Sequence, residues 1–244
     1  MRRSIFIVLL LLSFSAAAQQ SAVSKSVDDK AISMPKSEQL QHYTKVVIDG
    51  DFNIVFKRAE EGEGEKALYD QRSGNTSRFR IGVDKHGVLT LSRRGDVEQD
   101  GDTTDVVLWY EHLEALTVSE ATVVFEGVVE SKLFDMEVRS GATVAIKLDV
   151  LDAEVVCTGK SAVSAEGRAK YLDLHISNAT FEGLELQSVA CSVDASHEAV
   201  VKTAISERLE AITSTSAKML YKGEPTIIRG KNSLFGGVIE RVKQ

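Results

Sequence analysis

The amino-acid sequence predicts an all-β protein built mainly from stacked coils of about 19 residues. A small polar quartet recurs at steps of 18 to 21 residues, and its copies begin at Ser119, Ser140, Thr158, Ser177, Ser196 and Ser214. Short stretches of alternating apolar and polar residues separate the copies, and this alternation is typical of strands. The chain also contains 17 glycines and only 2 prolines. Its many Val, Ile, Ser and Thr residues favour strands joined by turns.

Two architectures fit this repeat. A unit of about 19 residues cannot bury its own apolar face, so neighbouring units must cover it. In a parallel β-helix each repeat is one coil, and equivalent residues stack in ladders with Ser, Thr or Asn at the corners. In an antiparallel sandwich or meander each repeat is one hairpin. We favour the coil, because stacked corners share one environment and keep their chemistry, and the sandwich or meander stays the alternative.

The chain begins with a predicted signal peptide, residues 1–18. Two arginines precede a short apolar run, which leads to the small residues before Gln19. The run is too short for a transmembrane helix, which needs about 20 apolar residues. We therefore predict cleavage after Ala18, no integral membrane segment afterwards, and a periplasmic, outer-surface or secreted protein. Removal of the two arginines changes the formal net charge from −7 to −9, which disfavours nucleic acid as a partner.

The mature chain is predicted to form one domain after a flexible leader. Residues 19–42 are polar and lack sustained periodicity. Residues 43–244 then form the domain, with N-terminal strands at 43–110, repeat coils at 111–225 and a C-terminal cap at 226–244. The cap is expected to cover the open end of the coil, whose unpaired strand edges would otherwise invite aggregation.

The N-terminal strands follow from local patterns. Residues 46–48 and 52–56 alternate around an Asp-Gly-Asp turn signal, and they predict a strand, a tight turn and a strand. Residues 79–83 and 88–91 predict a second strand pair across another turn. Residues 106–110 are continuously apolar and include the single tryptophan, so we expect a strand that is buried on both faces.

A catalytic or metal-binding constellation is not evident in the sequence. The carboxylates that a carbohydrate-active β-helix enzyme would need are available as Asp135, Glu137, Asp149, Asp152, Asp173, Glu182 and Glu185. Their positions in alternating strands predict outward, solvated side chains. The histidines His42, His86, His112, His175 and His197 lack the spacing of a zinc site, and His175 should point outward. We predict no catalytic, cofactor-binding or metal-binding residues.

The loop 96–105 carries a set of carboxylates that raises the possibility of calcium binding. It contains Asp96, Asp100, Asp102 and Asp105. The spacing differs from the EF-hand pattern, and a closing bidentate Glu is missing. The sequence leaves calcium binding at this loop open.

The two cysteines are predicted to be buried free thiols. Cys157 directly precedes its quartet, whereas Cys191 lies five residues before the quartet of another repeat. Stacked strands lie about 4.8 Å apart, so two repeats separate the Cα atoms by at least roughly 9.6 Å. A disulfide bridges Cα atoms up to about 7 Å apart.

The order of several motifs resembles a known family. These are the opening stretch 46–54, residues 87–91, the turn Ser140-Gly141-Ala142-Thr143 and the closing stretch 221–225. From about Tyr43 to Pro225 the chain resembles the putative auto-transporter adhesin "head GIN domain" family of exported bacterial proteins. This resemblance implies a right-handed β-helix-like fold and a role in adhesion or surface binding, and it supplies no catalytic residues. Two quartets, at Ser119 and Ser196, have larger residues where the family pattern has glycine.

The sequence thus predicts an exported, non-catalytic binding or adhesion module of the cell envelope. Its expected partners are a glycan or an envelope protein, and it requires no cofactor. Two alternatives stay open: a carbohydrate-active enzyme on the same scaffold, and a periplasmic structural module that binds another envelope protein.

Overall fold

The computed structural model describes residues 35–60, 62–70, 79–93, 103–232 and 236–242, all within one compact unit, Ser33–Gln244. In these ranges the chain forms sixteen β-strands and no helix. The strands are β1 Lys36–Gln39, β2 Lys45–Asp49, β3 Phe52–Arg58, β4 Lys66–Asp70, β5 Phe79–Val83, β6 Val88–Arg93, β7 Thr104–Tyr110, β8 Ala115–Ser119, β9 Thr122–Arg139, β10 Thr143–Thr158, β11 Ala162–Ser177, β12 Thr180–Ser196, β13 Val200–Thr213, β14 Lys218–Lys222, β15 Ile227–Asn232 and β16 Val238–Arg241.

The long strands β9 to β13 stack in parallel and in sequence order. Val144 of β10, for example, pairs with Val123 of the preceding coil and Val163 of the following one. The fold is therefore a β-solenoid of about 6 turns, which confirms the predicted stacked coil. The parallel pairing excludes the antiparallel sandwich or meander.

The six quartets form one row of corners between coils. Residues with positive φ occur in every quartet, for example Ser140 (φ 56) and Gly141 (φ 76). One small residue of each quartet is buried, the third in three of them and the fourth in the others: Ala121, Ala142, Ser161, Ala179, Ala199 and Ala217. Backbone bonds join successive corners, as where the Thr143 N–H donates to the Ala121 carbonyl at 2.9 Å. The residues with positive φ at these corners, including Glu120 and His197, are all exposed. This explains how Glu120 and His197 are accommodated.

A second row of corners lies inside the long strands. Burial alternates along β10 and β11, but the pairs Leu151-Asp152 and Lys170-Tyr171 are each exposed at both positions. Two consecutive outward residues mark the place where the strand bends. Each coil from β9 to β13 therefore consists of one long bent strand.

The N-terminal strands belong to the same stack. β2 pairs in parallel with β6 and β8, and β3 pairs in parallel with β7 and β9. The turn at 49–51 is thus a corner of the coil, not the turn of a hairpin. The second predicted pair is confirmed, because β5 and β6 are antiparallel.

The prediction that residues 106–110 are buried on both faces is wrong. Val106, Leu108 and Tyr110 are buried, but Val107 and Trp109 on the other face are only half-buried. The wall of the solenoid is a single sheet whose outer face meets solvent. The Lys66 ammonium group lies 4.8 Å from the centre of the Trp109 ring and partly covers it.

The C-terminal strands extend the stack by a further rung. β15 pairs in parallel with β13, and β16 with β14. Ile228 follows Leu209 in an inward-facing column, yet it is 51% exposed because it belongs to the last rung. Residues 233–235 and 243–244 of the expected cap lie outside the described residues.

The two cysteines are free and buried, as predicted. Cys157 aligns with Ile176 of the next coil, whereas Cys191 aligns with Leu172 of the preceding one. They therefore occupy different columns of the core.

Candidate binding surface

Most of the outer surface of the coils carries ladders of paired charges. Lys147 and Glu166 are register partners on adjacent coils, with Nζ and Oε1 3.1 Å apart. Glu182 and Lys202 are likewise partners, with Oε2 and Nζ 2.6 Å apart. The seven predicted carboxylates all lie at exposed or partly exposed positions of the strands, and His175 is exposed as expected. Within these ladders opposite charges are paired, and the charged side chains keep the outer face hydrated.

One column concentrates acidic residues. Asp135, Glu154 and Asp173 occupy equivalent positions on three successive coils. The sequence reasoning missed Glu154, although its spacing of 19 residues from each neighbour identifies the column. Among the residues that the structure describes, no group of three or more His, Cys, Asp or Glu side chains could hold a metal ion.

The proposed calcium loop lies mostly outside the described residues. Only Asp105 of its four aspartates is described, and it belongs to β7. Its Oδ1 accepts a hydrogen bond from Asn53 Nδ2 at 3.0 Å. Calcium binding at this loop stays a hypothesis.

A groove opens along the second row of corners, where β12 departs from regular stacking. The pairing of β12 with β13 shifts between Gly183 and Gln187, so residues 184–186 are extra relative to the next coil. The groove has a volume of about 550 Å³. We call it the corner groove; its apolar wall contains Val150, Leu184, Val189, Ala204 and Ile205, and its polar rim contains Asp149, Arg168, Glu185 and Lys222.

Two glycines allow the coils to approach closely at this groove. A Cβ on Gly167 would lie 2.2 Å from the Leu148 carbonyl oxygen, and one on Gly223 would lie 2.0 Å from the Ile205 carbonyl oxygen. Both glycines have positive φ, 104° and 113°. Glycine is therefore required at both positions for this local geometry.

A smaller cleft lies beside the groove on the adjacent face. It has a volume of about 250 Å³, and we call it the Tyr171 cleft; it is lined by Asp152, Tyr171, Asp173, Ala190, Arg208 and Glu210, with the buried Cys191 beneath. The cleft exists because Ala190, the register partner of Tyr171 on the next coil, is too small to cover the Tyr171 ring. The ring is 43% exposed.

A third cavity of about 550 Å³ connects the groove and the cleft. It shares Lys170 and Val189 with the corner groove, and Tyr171, Ala190 and Arg208 with the Tyr171 cleft. The Lys170 ammonium group lies 5.2 Å from the centre of the Tyr171 ring. The three depressions thus form one surface that wraps around the second row of corners.

Sequence reasoning did not identify this surface. Its residues come from different coils, so only the register brings them together. One signal was available, because Leu133, Asp152, Tyr171 and Ala190 follow one another at steps of 19 residues and form one outward column. Large apolar residues at outward positions, such as Leu133 and Tyr171, distinguish this column from the charged ladders.

The nucleophile candidates lack the surroundings of a catalytic centre. Burial, and secondarily the negative charge of Asp173, raise the pKa of the Cys191 thiol far above its ordinary value, so it stays protonated. At the first row of corners, His197 Nδ1 lies 3.2 Å from Ser177 Oγ and 3.1 Å from Ser196 Oγ. These hydroxyls also contact each other, and the three groups form a polar network on exposed turns.

Comparison with known proteins places the chain in a family. The sequence profile described as "Putative auto-transporter adhesin, head GIN domain" matches residues 42–225. The chain belongs to this family. The resemblance seen in the sequence is therefore confirmed, and membership in a family with this description points to an exported or surface-located protein. None of the curated proteins matches the chain.

Solved structures of similar fold are named as adhesins or as a lipid-binding protein. A putative adhesin from Bacteroides fragilis has a TM-score of 0.80 at 17% identity, over 87% of this chain and 99% of that one. A putative adhesin from Parabacteroides merdae has a TM-score of 0.66 at 13% identity, over 86% and 96%. A putative lipid binding protein from Parabacteroides distasonis has a TM-score of 0.63 at 11% identity, over 86% and 96%. At these identities the likeness shows the fold alone.

The described part of this GIN-domain chain contains no helix with the length and hydropathy needed to cross a membrane.

Proposed function

We propose that the mature chain, beginning at Gln19, is an exported, non-catalytic binding module of the adhesion type. Its recognition surface is the combination of the corner groove and the Tyr171 cleft. Family membership supports the adhesion role. The predicted signal peptide supports a location in the periplasm or on the outer surface.

The observation that carries the proposal is the corner groove. Ion pairs join neighbouring coils on the outer faces and also at the groove rim, where Arg168 contacts Asp149 and Lys222 contacts Glu185. Along the groove, the register between β12 and β13 is broken, and Gly167 and Gly223 let the backbones of neighbouring coils come close together. An apolar wall with a charged rim is exposed there. An apolar concavity with a few polar groups at its edge is the usual form of a ligand site.

A groove-filling substitution tests this proposal. Ala204→Phe places a ring in the corner groove, and Ser164→Phe places the same ring on an exposed position of β11 outside it. The wild type and both variants, each spanning residues 19–244, are applied to an array of immobilised neutral and acidic oligosaccharides. We expect wild type and Ser164→Phe to bind the same spots, and Ala204→Phe to lose them. Equal binding by all three proteins would contradict the proposed surface.

A carbohydrate-active enzyme is the second candidate, and the acidic column favours it. Glu154 and Asp173 are register partners on adjacent strands, and such strands lie about 4.8 Å apart. Retaining glycosidases place two carboxyl groups about 5–5.5 Å apart. Release of reducing ends from a polysaccharide by the wild type, abolished by Glu154→Gln, would establish this function in place of the non-catalytic one.

A further inference from the structure

We propose that the Tyr171 cleft binds one ring of a neutral oligosaccharide, with the sugar stacked on the Tyr171 side chain. This inference rests on the proposed binding function and assigns its ligand class. The chain of the oligosaccharide continues from the cleft through the connecting cavity toward the corner groove.

The sheet face itself restricts the kind of ligand. At the floor of the cleft, residues 171–173 of β11, 190–192 of β12 and 208–210 of β13 are paired in register in a parallel ladder. An extended peptide gains most of its affinity by pairing with a free strand edge, and the cleft floor offers no such edge because these three strands are each paired on both sides. Recognition must therefore use side chains, which suits a ligand rich in hydroxyl groups.

The Tyr171 ring provides the apolar contact. It is 43% exposed at an outward position, where neighbouring columns carry charged residues. Lys170 lines the connecting cavity but not the Tyr171 cleft, so the ammonium group lies toward the connecting cavity. The ring borders the cleft next to Ala190, whose small side chain leaves space for a flat ligand against an aromatic face.

Hydrogen-bonding groups surround this ring. Asp152 and Asp173 contribute carboxylate groups to the cleft. The Asp173 Oδ2 lies 3.6 Å from His175 Nε2, and the Asp173 Oδ1 is buried without a hydrogen-bond partner among the described residues. Arg208 donates from both Nε and Nη2 to Glu210 Oε1, and its guanidinium group has further N–H donors on Nη1. Acceptors and donors at the rim of an aromatic platform match the hydroxyl groups at the rim of a sugar ring.

The charge of the cleft favours a neutral sugar. Asp152, Asp173 and Glu210 outnumber Arg208 among its lining residues. Arg229 adds a second positive charge, but it is already bonded to Glu210, with Nη1 and Oε1 3.0 Å apart. A phosphorylated, sulfated or uronic-acid ring would meet this excess of carboxylates at close range, which disfavours binding.

The test uses defined neutral oligosaccharides and the protein spanning residues 19–244. Cellohexaose, maltohexaose, xylohexaose and mannohexaose are titrated by calorimetry, and their contacts are mapped by amide chemical-shift changes. We expect at least one of them to bind and to shift the Ala190 and Arg208 amides. Tyr171→Ala should weaken its binding about tenfold, which corresponds to roughly 1.4 kcal/mol. Tyr171→Phe keeps the ring and should bind almost as wild type does.

Ile212→Ala serves as the matched control. Ile212 is an exposed apolar residue of the same face outside the cleft, so its removal should leave the dissociation constant unchanged. The inference is overturned if none of the neutral oligosaccharides binds, or if Tyr171→Ala binds as tightly as wild type. In those cases binding of acidic oligosaccharides or lipid vesicles that Ala204→Phe abolishes would preserve the proposed function. Shortening of the oligosaccharide would instead overturn the non-catalytic function.

Discussion

The buried carboxylate of Glu65 accepts a hydrogen bond from the backbone N–H of Tyr43 at 3.0 Å. Its other oxygen lies 3.3 Å from Nδ1 of His42. Glu65 directly precedes β4, so the hydrogen bond ties the start of this strand to Tyr43, the first buried residue of the core. Burial raises the pKa of the Glu65 carboxyl, while His42 and backbone hydrogen bonds act in the opposite direction.

Glu65→Gln should change how stability depends on pH. A raised folded-state pKa means that the fold favours the protonated carboxyl, so this contribution is present below the ordinary pKa of about 4.3 and is lost as pH rises through the folded-state pKa. The glutamine amide oxygen can still accept from Tyr43 without carrying a charge. We expect the wild type to lose stability relative to the variant between about pH 4 and pH 7. Urea unfolding at both pH values measures this difference, and parallel pH profiles would refute the expectation.

Gly167→Ala should destabilise the protein more than Gly127→Ala. The two glycines have nearly equal φ, 104° and 105°, so both substitutions carry a similar backbone strain of roughly 1–2 kcal/mol. Only at Gly167 does the new Cβ meet a backbone oxygen, that of Leu148 at 2.2 Å; at Gly127 nothing lies within 4 Å. The clash should add about 1–3 kcal/mol to the loss in the free energy of unfolding. Equal losses in denaturant titrations would show that the close approach at the corner groove is not obligatory.

The solenoid could be predicted because the spacing of the quartets gives the length of one coil. The same chemistry at Ser140 and Ser177 is needed wherever one corner stacks on another, so the repeat identifies parallel coils. The parallel pairing of β2 and of β3 with strands of neighbouring coils could not be predicted. The turn at 49–51 has the same local chemistry in a hairpin and in a coil corner. The Tyr171 cleft could not be predicted either, because it depends on which residue of the next coil pairs with Tyr171. That pairing is set by the register of the whole stack.

The two thiols should be inert in the folded protein. Burial raises the pKa of Cys157 to about 12, and the thiolate is the reactive species. A thiol reagent such as Ellman's reagent should therefore label neither Cys157 nor Cys191 at pH near 8 until denaturant is added, when both should react. Rapid labelling of the native protein would contradict their burial. A mass lower by two hydrogens, with no labelling in denaturant, would indicate a disulfide that the separate columns exclude.

Leu209→Ala and Ile228→Ala should differ although the two residues are neighbours in one inward-facing column. Leu209 is fully buried between two coils, so its truncation leaves a cavity and should cost about 2–5 kcal/mol. Ile228 is on the last rung and is half exposed, so it has less apolar surface to lose and should cost roughly 1 kcal/mol. Urea titrations of both variants, with matched m-values, test this order. A cost at Ile228 equal to that at Leu209 would mean that the end of the stack is covered in solution, either by a partner or by a second copy of the chain. Sedimentation equilibrium of the wild type would then separate those two cases, because only a second copy changes the mass to that of a dimer.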